Sequence, residues 1–293
     1  MKILINQNLS RTLNYAILKK FDLNYNVEIS FHKKLYKQSE NKKSLLCIGL
    51  DVDKEKLPPQ FSKNLHGVFD FIKTIIDSTV DICLCYKLNM AFFEQFGSDG
   101  YKIMENVVEY IDGRCVTIAD GKRGDIGNSS RMYAKSIFNQ IGFDSATISP
   151  YMGKDSISPF IEDSRFGIFV LCLTSNPGSN DLQKKEFSNE HLYVSVINML
   201  KEFNNENIGI VVGATRSDYM QNIRYHCGNM NWLIPGIGSQ GGDIDNSVKI
   251  GNKADALGII TISRDILYYN NSSEDDIYCR TLYYHNKIKK IHG

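Results

Sequence analysis

Eight short apolar runs recur along the chain: Leu45–Leu50, Ile82–Leu88, Cys115–Ala119, Ser145–Ser149, Gly167–Leu173, Ile208–Val212, Trp232–Pro235 and Ala256–Ile262. Most are apolar at nearly every position, the pattern of strands covered on both faces. Between them, apolar residues return at helical spacing. Phe69, Ile72, Ile75 and Ile76 form one stripe; Tyr133, Ile137, Phe138 and Ile141 form another, with Gly142 positioned to end it. Asp275–Ile291 reads as a last helix, with Ile277, Leu282 and Ile288 among its apolar positions. Strand starts fall roughly every 24 to 40 residues, and eight strand–helix units at that spacing predict an α/β fold, a (β/α)8 TIM barrel. The alternative, a doubly wound open sheet, asks for a GxGxxG turn after the first strand, and Gly49-Leu50-Asp51 is not one.

Residues 1–44 stand outside this rhythm. They are rich in Asn and Lys, with a helix expected around Arg11–Phe21. The expected organisation is an N-terminal extension, 1–29, followed by a single barrel domain, 30–293. An apolar fraction of 42% supplies a core for a domain of that size. Lys+Arg of 34 against Asp+Glu of 33 gives a net charge of +1, so nothing calls for nucleic acid or an anionic membrane as partner. No run approaches the ~18 apolar residues of a membrane span. The start, Met1 to Asn8, is too briefly apolar for a secretory core. A cytoplasmic location is expected. Seven cysteines, an odd number with no CxxC pair, argue against a disulfide framework or zinc site.

In such a barrel the chemistry sits at the C-terminal ends of strands. Charge is localised there: Asp51 after the first run, Lys87 and Asn89 at the second, Asp120-Gly121-Lys122-Arg123-Gly124-Asp125 after the third, Ser263-Arg264 after the eighth. Alternating Lys87, Asp120, Lys122 and Asp125 can form a chain in which each charge is held by opposite neighbours, which keeps a lysine charged in a water-poor site. A charged lysine aimed at a developing carbanion stabilises it and then donates a proton. The bland alternative is a solvated salt-bridge cluster on a loop. The matching strand-end positions of Asp51 and Lys87 weigh against it. A second signal follows the seventh run, Pro235-Gly236-Ile237-Gly238-Ser239-Gln240-Gly241-Gly242. Its glycines let backbone N–H groups approach an anion, Gln240 adds a donor, and Arg264 offers a planar fork for phosphate oxygens. None of the six histidines falls at an expected strand end, which argues against histidine acid catalysis and a histidine metal site.

Taken together, these segments resemble the orotidine 5′-monophosphate decarboxylase family. Asp120 to Ser129 (DGKRGDIGNS) looks like its signature; Leu46 to Asp51 and Tyr86 to Asn89 resemble its first two strands. Leu173 to Ser179 (LTSNPGS) and Val211 to Thr215 (VVGAT) look like its longer subfamily, and the Pro235–Gly242 loop completes the set. The resemblance covers about residues 30–290. It implies a cofactor-free, metal-independent decarboxylation of orotidine 5′-monophosphate to UMP, the last step of UMP biosynthesis, by a monofunctional homodimer. Residues 1–29 are too few for a fused orotate phosphoribosyltransferase. By resemblance, Asp51 and Lys87 hold ribose hydroxyls, and Lys87 also anchors Asp120. Asp120 lies beside the substrate carboxylate. Lys122 stabilises and protonates the C6 carbanion. Asp125, Ile126 and Ser129 reach into the partner's site. Ser175 meets the pyrimidine. Gln240 and Arg264 take the phosphate, with Pro235 and Gly238 in the same substrate-binding loop. Asn89 matches the motif without a defined role. Two positions depart from the pattern: Ser263, where glycine is usual, is kept as a ligand through its N–H, and Ser129, where threonine is common, retains the hydroxyl.

Two rival readings remain. A magnesium-dependent sugar-phosphate decarboxylase or aldolase of the same barrel superfamily shares D-x-K-x-x-D but needs an acidic metal ligand near the third strand, and a chelator would block it. A catalytically dead barrel would be expected to have lost one of the four charges, and all four are present.

Overall fold

The computed structural model describes residues 29–187, 189–253 and 255–293. The extension, apart from Ile29, and the helix expected around Arg11–Phe21 lie outside the described residues. All eight apolar runs contain a strand: β1 (Leu46–Gly49), β2 (Cys85–Asn89), β3 (Val116–Arg123), β4 (Ser145–Ile148), β5 (Gly167–Leu173), β6 (Ile208–Val212), β7 (Trp232–Pro235) and β8 (Gly258–Ile262). Each pairs in parallel with its sequence neighbours, and β8 returns to β1 through Ile48 opposite Ile262, closing the barrel. This is the expected (β/α)8 architecture. A two-stranded hairpin, Glu186–Phe187 with Glu190–His191, is added between β5 and β6.

The strands are buried along nearly their whole length because side chains fill the barrel on one face and helices cover the other. The helix Leu65–Thr79 starts where the Asn64 side chain accepts the Gly67 N–H, and it turns Val68, Phe71, Ile72, Ile75 and Ile76 inward. Phe69, expected in that stripe, is only partly buried, and Phe71 takes its place. The second stripe also shifts. Gly127–Ala134 runs into a π-helical stretch, Lys135–Ile141, whose wider turn keeps Ile137, Phe138 and Ile141 inside and leaves Tyr133 exposed under the Arg123 guanidinium, 5.4 Å from its ring. Gly142 ends the run at φ 92°, as expected of a C-cap. The last helix, Glu274–His292, begins with a capping box of Ser273 and Asp276. It buries Ile277, Thr281, Tyr284 and Ile288; Leu282 is only half-buried.

Residues 30–44 belong structurally to the barrel. The helix Phe31–Lys42 crosses its N-terminal end, touching residues that immediately precede strands. The His32 N–H donates to Asn207 Oδ1 (2.9 Å), Lys34 Nζ reaches Asp144 Oδ1 (2.5 Å), and Gln38 Nε2 donates to the Gly113 carbonyl (2.8 Å). The helix thereby covers part of the floor, and the opposite, C-terminal face is left for the site. Six cysteines are buried and Cys279 is exposed. Among the described residues no helix is long and apolar enough to cross a membrane.

Candidate active site

The charges expected at strand ends converge. Parallel pairing sets Asn89 opposite Asp120, and the Leu50 N–H donates to the Lys87 carbonyl (2.8 Å), which brings Asp51 to the same level. Lys87, 5% exposed, donates from Nζ to Asp120 Oδ2 (2.8 Å) and lies 3.7 Å from Asp51 Oδ1. Asp51 Oδ1 also accepts the Asn89 N–H (3.2 Å). Lys122 Nζ reaches the other oxygen of Asp120, at 2.6 Å. The result is a row Asp51–Lys87–Asp120–Lys122 in which each interior charge lies between two opposite ones. Burial alone would push the Lys87 ammonium down, but the carboxylates of Asp120 and Asp51 outweigh it and hold its pKa above the ordinary lysine value. Burial would likewise raise the Asp120 carboxyl, yet Lys87 and Lys122 outweigh it and keep it well below the usual carboxylate range.

Lys122 owes its position to an irregularity. Ala119 pairs with Ala146, but the next pair is Arg123 with Ile148, so three residues of β3 stand opposite the single residue Thr147. Within this bulge Lys122 takes a left-handed φ of 47°. Its N–H donates to Thr147 Oγ1 (3.0 Å), and Thr147 Oγ1 donates to Asp120 Oδ1 (2.9 Å). Thr147 was not singled out from sequence, although it alternates within an expected strand as an inward residue would.

Asp51, Lys87, Asn89, Asp120 and Lys122 form one side of a cavity of about 460 Å³; Leu171, Val211 and Leu233 are apolar residues of its lining. Pro235, Gln240, Ser263 and Arg264 line it too, as do Gly236 and Ser239. Gly236 adopts φ 108°, a conformation side chains rarely take, and its carbonyl accepts the Gly242 N–H (3.0 Å), folding the loop back on itself. Ser175 Oγ donates to Gln240 Oε1 (3.1 Å), linking the loop after β5 to the loop after β7. Ser263 Oγ donates to the Gly49 carbonyl (2.9 Å). A Cβ on Gly49 would lie 2.8 Å from Ser263 Cβ, so glycine at position 49 makes room for the serine. Arg264 is exposed and has no carboxylate partner among the described residues. Gly238 is not part of the lining; it turns the loop at φ 81° against Asp265. Sequence reasoning also missed Gln183, whose Oε1 accepts the Thr174 N–H (2.8 Å), and Arg216, which donates to the carbonyls of Thr174 (3.0 Å) and Asn176 (2.6 Å) and so braces the Ser175 loop. Thr261 Oγ1 is buried in the lining without a hydrogen-bond partner.

Asp125, Ile126 and Ser129 lie elsewhere. Asp125 and Ser129 line a separate surface hollow of about 390 Å³ with Arg123, Met132 and Tyr133, and Ile126 is 52% exposed. Within one chain the structure does not bring Asp125 to Lys122's cavity. A larger cleft, about 710 Å³, opens at the barrel floor between Tyr36, Leu45 and Ile288, remote from the strand-end charges. None of the six histidines lines the charged cavity, and among the described residues no group of three or more His, Cys, Asp or Glu could hold a metal ion.

Similarity to known proteins agrees with this geometry. The family model described as orotidine 5′-phosphate decarboxylase / HUMPS matches residues 44–275. An orotidine 5′-phosphate decarboxylase of Christiangramia forsetii is 43% identical over 245 residues, 82% of this chain and 90% of the relative. One from Dehalococcoides mccartyi is 42% identical over 252 residues, 84% and 92% of the two chains. The solved structure of Leishmania donovani OMP decarboxylase superposes with a TM-score of 0.80 at 32% identity, covering 90% of this chain and 99% of that one. The chain belongs to the orotidine 5′-phosphate decarboxylase / HUMPS family of enzymes.

Proposed function

We propose that the chain converts orotidine 5′-monophosphate to uridine 5′-monophosphate and CO2, closing UMP biosynthesis in the cytoplasm, without metal or cofactor, and that Lys122 supplies the proton. The observation that carries this reading is the charge row Asp51–Lys87–Asp120–Lys122 in the same cavity as a glycine-rich loop and an arginine with no carboxylate partner among the described residues. The substrate has the matching shape: a carboxylate on the pyrimidine, a ribose, and a remote phosphate. Arg264 and Gln240 take the phosphate, Ser175 the pyrimidine, and Asp51 and Lys87 the ribose hydroxyls. The substrate carboxylate then lies beside Asp120. The C6–carboxylate bond breaks, its electron pair stays on C6, and CO2 leaves. The ammonium of Lys122 faces the developing carbanion, stabilises it, and passes a proton to C6; Lys122 regains a proton from solvent. Because the phosphate is far from the reacting carbon, its binding energy can orient the base and draw the loops closed.

The active form is proposed to be a homodimer in which Asp125, Ile126 and Ser129 complete the partner's site. Their position outside their own cavity supports this, as does the exposed apolar surface of Ile126, Met132 and Tyr133 around them. The test is direct: add orotidine 5′-monophosphate with EDTA present and follow loss of the orotate chromophore. Turnover is expected. Turnover abolished by EDTA and restored by magnesium would favour a metal-dependent member of the family, and none under any condition would refute decarboxylation.

A further inference from the structure

Where β3 bulges, Thr147 is the sole β4 residue opposite Asp120, Gly121 and Lys122. Its hydroxyl is buried, with a relative exposure of 1% for the residue, and it makes two directional bonds. The Lys122 amide can only donate, so it fills a lone pair of Oγ1 (3.0 Å); the single hydroxyl proton therefore goes to Asp120 Oδ1 (2.9 Å). One side chain thus grips both members of the Lys122–Asp120 pair, one by its backbone and the other by its carboxylate. The backbone grip matters because Lys122 stands at φ 47°, a left-handed conformation uncommon for a lysine, within a bulge that takes it out of the strand ladder. That turn directs Nζ back over Asp120, to 2.6 Å.

We infer that Thr147 is a positioning residue of the decarboxylation: its hydroxyl locks the Lys122 turn and orients Asp120, so that the ammonium is held where the proton is delivered. The inference rests on the proposed function. Thr147 itself need not touch substrate. The charged groups around Asp120 are Lys87 from β2, Lys122 from β3 and, beyond Lys87, Asp51 after β1; from β4 the facing group is the neutral Thr147 hydroxyl.

The test compares Thr147→Val, which keeps the shape and removes the hydroxyl, with Thr147→Ser, which keeps the hydroxyl. For Thr147→Val, kcat is expected to fall roughly 10- to 100-fold through misplacement of the lysine, while KM and UMP affinity stay within about threefold because the phosphate loops are untouched. Thr147→Ser is expected to restore most of kcat. Should Thr147→Val fail to fold, Thr147→Ala carries the same expectations, with UMP binding as the check on folding. A wild-type protein that turns over orotidine 5′-monophosphate while the hydroxyl-free variants keep kcat overturns this inference alone. Equal impairment of the Val and Ser variants also overturns it, since packing rather than the hydroxyl would then be responsible. A wild-type protein without decarboxylase activity overturns the proposed function and this inference with it.

Discussion

Replacing Lys87 by Met removes the central positive charge of the row and keeps a side chain of similar length. Lys87 Nζ is 2.8 Å from one carboxylate and 3.7 Å from another. With an effective dielectric of about 20, those separations correspond to attractions of about 6 and about 4.5 kcal/mol before the cost of desolvating the ammonium is subtracted. Removing one partner of such a buried pair costs about 3–5 kcal/mol net, because the carboxylates stay behind with less compensation. For a barrel of this size that corresponds to a loss on the order of 10 °C in Tm. The pH dependence carries a sign. Asp120 is depressed in the folded state, so its contribution is complete above the unfolded carboxylate value and is lost as pH falls through the lower folded value. Lys87 is raised, so its contribution is complete below the unfolded lysine value and fades only as pH climbs through the higher folded one. The gap between wild type and Lys87→Met should therefore be flat from about pH 5 to about pH 9 and narrow in acid, where Asp120 protonates. Urea unfolding followed by circular dichroism across that range measures it. A variant as stable as wild type at pH 7, or a gap that widens in acid, would refute the claim that this row is held together by its charges.

Lys122→Ala should cost at least about 10²- to 10⁴-fold in kcat, the range for a lost general acid, yet still bind UMP in a calorimeter, since Lys122 is half exposed and its removal leaves the other walls intact. Arg264→Ala should raise KM and lower kcat/KM by roughly 10- to 100-fold, following a loss of about 1.5–3 kcal/mol for one charge-assisted contact; unchanged steady-state constants would put the phosphate elsewhere. Co-expressing Lys122→Ala with Asp125→Asn should return about a quarter of wild-type activity, because about half of randomly formed dimers are mixed and each mixed dimer has one intact site. Mixed dimers as inactive as their parents would show that Asp125 acts within its own chain.

The barrel was legible because its strands are buried on both faces and so are written as unbroken apolar runs; β5, β6 and β7 begin and end where those runs do. The strand-end rule then placed Asp51, Lys87, Asp120 and Lys122 at one end of the barrel, but the row that forms within the chain ends in Asp51 rather than in the expected Asp125, which lines a separate hollow. What escaped has physical reasons. Tyr133 shares its spacing with Ile137 and Ile141, but a π-helical stretch changes the phase of the helix, and nothing in the residue types announces it. Thr147 acts through a bulge on the neighbouring strand, a feature of pairing rather than of either segment alone. Arg216 braces the Ser175 loop from the loop after β6, a contact between segments about 40 residues apart. The Phe31–Lys42 helix falls inside the expected barrel domain but carries little apolar pattern of its own, since only Phe31 and Leu35 are buried and its purchase on the barrel floor is mostly polar.

The charge balance of the cavity assigns different work to its two ends. Its ionisable lining consists of Asp51, Lys87, Asp120, Lys122 and Arg264. The row of four sums to zero, and among the described residues the uncompensated charge of the lining is Arg264. An empty site of this kind has no excess charge at the reactive end, so attraction for an anionic nucleotide arises mainly at the phosphate end. In the proposed binding mode the substrate carboxylate gives the row an excess negative charge in a confined space, and Asp120 cannot relieve it by taking a proton while two ammoniums hold its pKa down. On the proposed chemistry, loss of CO2 would leave that charge as a carbanion facing Lys122, and proton transfer would leave an uncharged pyrimidine ring beside a neutral lysine. The excess would disappear on reprotonation of Lys122 from solvent, which its half-exposed side chain allows. On the proposed chemistry, phosphate binding therefore forces the substrate into a place that its own carboxylate makes unfavourable, and decarboxylation with reprotonation is the route by which the row returns to neutrality.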